Sequence, residues 1–231
     1  MFDAVIFDCD GVLVDSEILA IEAETTVLAE FGLDYDLEEY KRRFLGLHHH
    51  RFLETLDGDF RARLGAPLPA AFPDALKARY EAMAHRIEAI EGVADAVAAL
   101  GRAKAVASSS GAASLERKLR QTGLWDHFAP HVYSADLVPR GKPHPDVFLH
   151  AAEALGVRPE ACLVLEDSVN GVVAGLAAGM TVWGFSGGGH MDAAAEARLL
   201  EAGAARVLDG WTAASAAWTT WGRVDPAPGR P

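Results

Sequence analysis

The segment Met1–Glu17, MFDAVIFDCDGVLVDSE, decides how this chain is read. Its apolar run Ala4–Phe7 has the length of a buried strand, and it stops at Asp8-Cys9-Asp10-Gly11, where core packing requires neither carboxylate. Such a tip is either a solvated turn or a place where charge is used. Cys9, between the two acids, reads as a small buried spacer.

Working outward, the same rhythm recurs. Strand-like runs lie at Ala103–Ala107, His131–Ser134, Cys162–Leu165, Thr181–Phe185 and Ala205–Leu208, and helical patterns at Ala113–Thr122, Pro145–Leu155, Val169–Ala178 and Ala193–Ala202. This alternation predicts an α/β fold, a Rossmann-like parallel sheet core with helices on both faces. Between the first two strands the rhythm breaks: Ser16–Ile90 carries amphipathic helices and no convincing strand, far more than a crossover needs. The expected organisation is a core of residues 1–15 and 91–217, an inserted α-helical cap domain of residues 16–90, and a loosely held tail, 218–231, ending in DPAPGRP.

Lys and Arg total 21 against 33 Asp and Glu, a formal charge of −12, so the summed field repels nucleic acid and anionic membranes, and neither is expected as a partner. Cys9 and Cys162 lack zinc-type spacing and read as buried thiols of a reducing compartment. The acidic N-terminus does not resemble a leader, so the expected location is cytoplasmic. Nothing in the sequence singles out a protein partner.

In open parallel sheets ligands gather at the carboxyl ends of the strands. Here those ends carry Asp8 and Asp10, then Ser108-Ser109-Ser110-Gly111, then Glu166-Asp167-Ser168, with Lys142 in the loop RGKPHPD. Asp8, Glu166 and Asp167 would repel one another in a crevice, and a hard divalent cation with oxygen ligands, Mg²⁺, offsets that repulsion. Lys142, the Ser108 hydroxyl and the backbone N–H groups at Ser109 and Ser110 add donors for a phosphoryl group. One carboxylate could then attack phosphorus, and another two residues on could move protons to and from the leaving oxygen and water.

In order and spacing, DCDGVL, the serine after the second strand, the lysine of GKPHPDVF and the acid pair of LEDSVNG resemble the four motifs of the haloacid dehalogenase superfamily. The resemblance implies that Asp8 is the nucleophile and Asp10 the general acid and base. It implies that Ser108 and Lys142 hold phosphate, that Asp167 and Glu166 serve the metal with the backbone carbonyl of Asp10, and that the helical insertion is a mobile cap. The substrate expected is a small phosphorylated metabolite, a sugar phosphate foremost.

Within that superfamily, dehalogenases lack the second aspartate, present here as Asp10. Phosphonate hydrolases use a cap lysine, and Lys41 in EEYKRR reads as solvated. A β-phosphoglucomutase-like enzyme is the main alternative, but the position of its cap histidine is Ala20, and its distal arginine falls near His49, with Arg51 beside it. Hydrolysis is therefore favoured over the mutase reading, and a binding module of the same fold with little activity is the second alternative. The run His48-His49-His50-Arg51 reads either as a solvated loop or as a substrate-recognition element through His49 and Arg51, rather than as a zinc site, because three consecutive side chains diverge. Gly187-Gly188-Gly189-His190 reads as a flexible loop.

Overall fold

Ala4–Phe7 forms β1, in which all four residues are buried, as expected of a strand covered by helices on both faces. The computed structural model describes residues 2–44 and 49–220. After β1 come the helices of the insertion, α1 (Ser16–Glu30), α2 (Leu37–Phe44), α3 (His49–Leu64) and α4 (Phe72–Met83). The chain then continues through α5 (Val93–Ala99), β2 (Ala103–Ser108), α6 (Ala112–Gln121), α7 (Trp125–Phe128) and β3 (Val132–Ser134). It closes with α8 (Asp146–Leu155), β4 (Cys162–Glu166), α9 (Val169–Ala177), β5 (Thr181–Phe185), α10 (Ala193–Glu201), β6 (Val207–Leu208) and α11 (Trp211–Thr220).

The six strands form one sheet in the order β3-β2-β1-β4-β5-β6, and every neighbouring pair is parallel. Strand order reverses between β1 and β4, where Ala4 pairs with Cys162 and Phe7 with Leu165. That reversal opens the crevice in which such sheets bind ligands. One face packs Ile6, Ala105 and Val164 against Val147, Phe148, Val172 and Ala174. On the other, Phe7 meets Phe128 with ring centroids 5.5 Å apart and Trp211 at 5.9 Å, while Phe185 meets Trp211 at 5.0 Å.

The tail expected from residue 218 is helical as far as Thr220, and residues 221–231 lie outside the described residues. Trp218 lies inside α11, buried, with its ring 6.0 Å from Trp211 and 6.3 Å from Phe7. Trp211 and Trp218 stand seven residues apart and so share a helix face, but the small uncharged residues between them hide the period. Burying an aromatic of this size contributes at most about 4–6 kcal/mol, enough to hold the segment. The Trp211 indole also donates to the Val12 carbonyl at 3.2 Å, which ties α11 to the turn after β1. The short α5 and α7 lie outside the helical patterns of the sequence, and β6 starts at Val207 rather than Ala205.

Two compact units emerge, one taking in the chain to Asp15 and again from Glu88, the other Ser16–Ile87. The expected exit of the insertion, at residue 90, thus moves back to Ile87. The reason is backbone pairing: Asp15 N–H donates to Glu88 at 3.0 Å and Ile90 N–H to Leu13 at 3.0 Å, with an antiparallel bridge between Val14 and Ala89. The insertion has its own core, in which Ile21, Val27 and Leu28 of α1 join Tyr40, Phe44, Phe52, Leu56, Phe60, Phe72 and Leu76.

Candidate active site

Asp8 is the first residue beyond β1, held by its N–H to the Leu165 carbonyl at 2.9 Å. The next turn reverses tightly at Gly11, with φ 74°, a conformation that favours glycine. A Cβ there would lie 1.8 Å from Asp167 Oδ2, so the turn and the end of β4 fit only through this glycine. Cys9 is fully buried between the two aspartates, and burial, then Asp10, push its thiol well above the ordinary range, consistent with an inert spacer.

Lys142 reaches the same point from the loop after β3. Its ammonium donates to Asp8 Oδ1 at 2.5 Å, to Glu166 Oε1 at 2.6 Å and to the Ala107 carbonyl at 2.9 Å, so all three donors are used. Burial works against this cation, but Asp8 and Glu166 more than compensate and hold its pKa above the usual lysine value. The other oxygen of Glu166, Oε2, accepts from the Ser168 N–H at 3.0 Å and hydroxyl at 2.9 Å, at the start of α9. Gly171 makes room for it, since a Cβ there would lie 1.8 Å from the Glu166 carboxyl carbon.

Asp8, Glu166 and Asp167 each present an oxygen, and the three oxygens lie within 4.8 Å of one another. Burial drives the Asp8 carboxyl well above the carboxylate range; Lys142 opposes this, while Glu166 and Asp167 add to it. Asp167 is raised in the same way, by burial first and Glu166 next. With Asp10, four carboxylates face the two ammonium groups of Lys142 and Lys118 and leave a formal charge of minus two, which one divalent cation offsets. An all-oxygen donor set of this charge fits Mg²⁺.

Asp10 lies apart from this cluster. Its Oδ1 accepts from Lys118 of α6, and its Oδ2 accepts from the Ser110 hydroxyl at 2.7 Å. Ser108 is buried, and its Oγ accepts from the Ser110 N–H at 3.0 Å, so that N–H is already engaged rather than open as a donor. Ser109 is exposed. The four motifs therefore converge on one end of the sheet, with Asp8 and Asp10 facing different cations.

The insertion residues stand differently. His48 falls outside the described residues; His49 opens α3, and its side chain lies outside them as well. Arg51 is exposed and pairs with Glu54 at 3.2 Å, one turn along the same helix.

Two residues escape the sequence motifs. Lys118 sits in LERKLRQ, where a helical lysine among arginines reads as solvated, and only the fold shows it buried. His190 is buried with Nε2 3.1 Å from Asp167 Oδ2. Gly189 is exposed, but Gly187 and Gly188 are packed, unlike the flexible loop expected: a Cβ on Gly187 would meet Phe185 at 2.7 Å, and one on Gly188 would meet His190 at 2.9 Å.

A parallel sheet whose switch point gathers these acids and lysines is a Rossmann-like ligand-binding framework. The chain belongs to the haloacid dehalogenase-like hydrolase family, whose model matches residues 2–179. The 6-phosphogluconate phosphatase of Escherichia coli (strain K12) is 31% identical over 188 residues, which cover 81% of this chain and 84% of that protein. Hexitol phosphatase B of the same organism is 36% identical over 181 residues, 77% of this chain and 80% of that protein. The crystal structure of a HAD family hydrolase from Deinococcus radiodurans R1, with bound phosphate and sodium, is 41% identical with a TM-score of 0.83, covering 98% of this chain and 99% of that one. The chain is accordingly an enzyme, a phosphoric monoester hydrolase. Among the described residues no helix is long and apolar enough to cross a membrane.

Proposed function

We propose that this protein hydrolyses a small phosphorylated carbohydrate through an aspartyl-phosphate on Asp8, with Mg²⁺ as cofactor and the helical insertion in the cap role that the resemblance implies. The observation that carries the reading is the separation of two carboxylates a residue apart, Asp8 bound to Lys142 inside the acid cluster and Asp10 bound to Lys118 and Ser110 outside it. Two carboxylates in different surroundings suit two roles.

Asp8 attacks phosphorus as the bond to the ester oxygen breaks, and Asp10 protonates that oxygen. Water then attacks the aspartyl-phosphate, Asp10 accepts its proton, and Asp8 and inorganic phosphate are released. Lys142 keeps the nucleophile and Glu166 in register and presents positive charge to the phosphoryl group. Asp8, Glu166 and Asp167, with the backbone carbonyl of Asp10, are the residues that would hold Mg²⁺, which supplies charge neutralisation for the phosphoryl oxygens. Similarity to phosphatases named for 6-phosphogluconate and hexitol phosphates supports a sugar-derived substrate. Ala20 in α1 has no polar group to present a sugar hydroxyl, which favours water as the acceptor over a mutase reaction.

Purified protein with Mg²⁺ should release phosphate from 6-phosphogluconate, hexitol phosphates or related sugar phosphates, and beryllium fluoride should inhibit it. Inertness toward the whole panel overturns the reading. Conversion of β-glucose 1-phosphate in the presence of glucose 1,6-bisphosphate, without phosphate release, replaces it with the mutase.

A further inference from the structure

Lys118 belongs to none of the four motifs, yet it is only 9% exposed at the catalytic end of the sheet. A buried ammonium loses its hydration and persists only where its partners make up the loss. Those partners are Asp10 Oδ1 and the Ser110 hydroxyl, the latter at 2.9 Å. The Ser110 hydroxyl closes the triangle by donating to Asp10 Oδ2 at 2.7 Å. Ser110 is itself anchored, because its N–H donates to Ser108 Oγ at 3.0 Å and its carbonyl accepts from the Ser134 hydroxyl at 2.7 Å. Each oxygen of Asp10 thus has a donor fixed to β2, β3 or α6.

A buried ion pair is weak evidence for stability, since replacing both partners by apolar side chains of similar volume is often neutral, whereas removing one leaves the other charge uncompensated. What an apolar residue at 118 would lose is the direction of the Asp10 carboxylate. We propose that Lys118, acting with Ser110, is a positioning residue that aims the Asp10 carboxylate at the attacking water and so sets the lifetime of the aspartyl-phosphate. This rests on the hydrolase reading above. In the step concerned, the water oxygen bonds to phosphorus, the phosphorus–Asp8 oxygen bond breaks with its electron pair returning to the Asp8 carboxylate, and the water proton passes to Asp10. Lys118 gains and loses nothing.

The test uses acetyl phosphate, whose leaving group needs no proton, so that phosphoenzyme formation and breakdown are read separately by rapid quench with Mg²⁺. Lys118→Met should form the phosphoenzyme within about threefold of the wild-type rate but break it down roughly 10- to 100-fold more slowly, against the ~10²–10⁴ that a positioned acid or base contributes. A hydroxylamine-sensitive acyl phosphate should accumulate in the variant, and Lys118→Arg should recover most of the breakdown rate. Equal loss in both steps, or unchanged breakdown, overturns the proposal and leaves the hydrolase reading standing. If Lys118→Met does not fold, Ser110→Ala is measured in the same way: slower breakdown with unchanged formation is expected, and unchanged breakdown overturns the proposal. Wild-type protein that neither forms a phosphoenzyme nor releases phosphate overturns both.

Discussion

The core and the helical insertion both draw carboxylates out of water, and they do so to opposite ends. At the tip of β1, Asp8, Glu166 and Asp167 crowd one another, and burial with mutual repulsion pushes Asp8 and Asp167 well above the carboxylate range. In the insertion, Glu24 instead accepts from the phenols of Tyr40 and Tyr80, and Asp59 accepts from the Tyr35 hydroxyl at 2.6 Å and from Arg43. Those carboxylates meet hydrogen-bond donors. The core's acids are thus a local liability that the proposed metal binding and chemistry would account for, whereas the insertion's acids hold its helices together.

Replacing a crowded acid is the sharpest way to test this contrast. Asp167→Asn should cut Mg²⁺-dependent phosphatase turnover by at least about 10- to 100-fold. The same change should stabilise the metal-free protein by about 1 kcal/mol, because one charge leaves the cluster. Calorimetry without metal checks the sign: a lower melting temperature would break the comparison.

Gly171→Ala keeps every charge and attacks the packing instead. Its Cβ would press into the Glu166 carboxyl, so a loss of about 1–3 kcal/mol is expected, with reduced turnover as Lys142 loses register. Denaturant melts and kcat measured together test whether geometry as well as charge belongs to the site; a neutral result would show that Glu166 has slack.

Tyr40→Phe probes the insertion and should have the smallest effect, about 1 kcal/mol at neutral pH. Burial first, then Glu24, raise the Tyr40 phenol above its ordinary 10.0. The folded state therefore keeps a proton that the unfolded chain gives up near pH ~10, and stability is full below that pH and is lost as pH rises past it. Melting temperatures between pH 8 and 11 should fall less steeply for Tyr40→Phe than for the wild type. A gain in stability at neutral pH would place the insertion's acids in the same class as the core's.

Much of the framework was legible because polar residues interrupt apolar runs at the points that matter. Asp8, Ser108 and Glu166 each mark a strand end that sequence locates within a residue. Lys118 was not legible, since a lysine in an amphipathic helix looks solvated until the fold brings it to Asp10. His190 was hidden by its glycines, whose packing is visible only when Phe185 and the Gly210 backbone close around Gly187. The last helix was masked by its own composition: WTAASAAWTT carries no charge to outline a face, and two tryptophans define its period alone.

The paired linkers carry a consequence for ancestry. Val14 and Ala89 bridge where the chain leaves the core and returns, so the insertion begins and ends at neighbouring points. With its ends already joined and a core of its own, such a segment is a cassette. A lineage can lengthen it, shorten it or replace it wholesale without disturbing the sheet. If the insertion serves in the cap role proposed above, selection on which phosphate ester is taken and selection on how phosphate is removed can proceed on separate stretches of one gene.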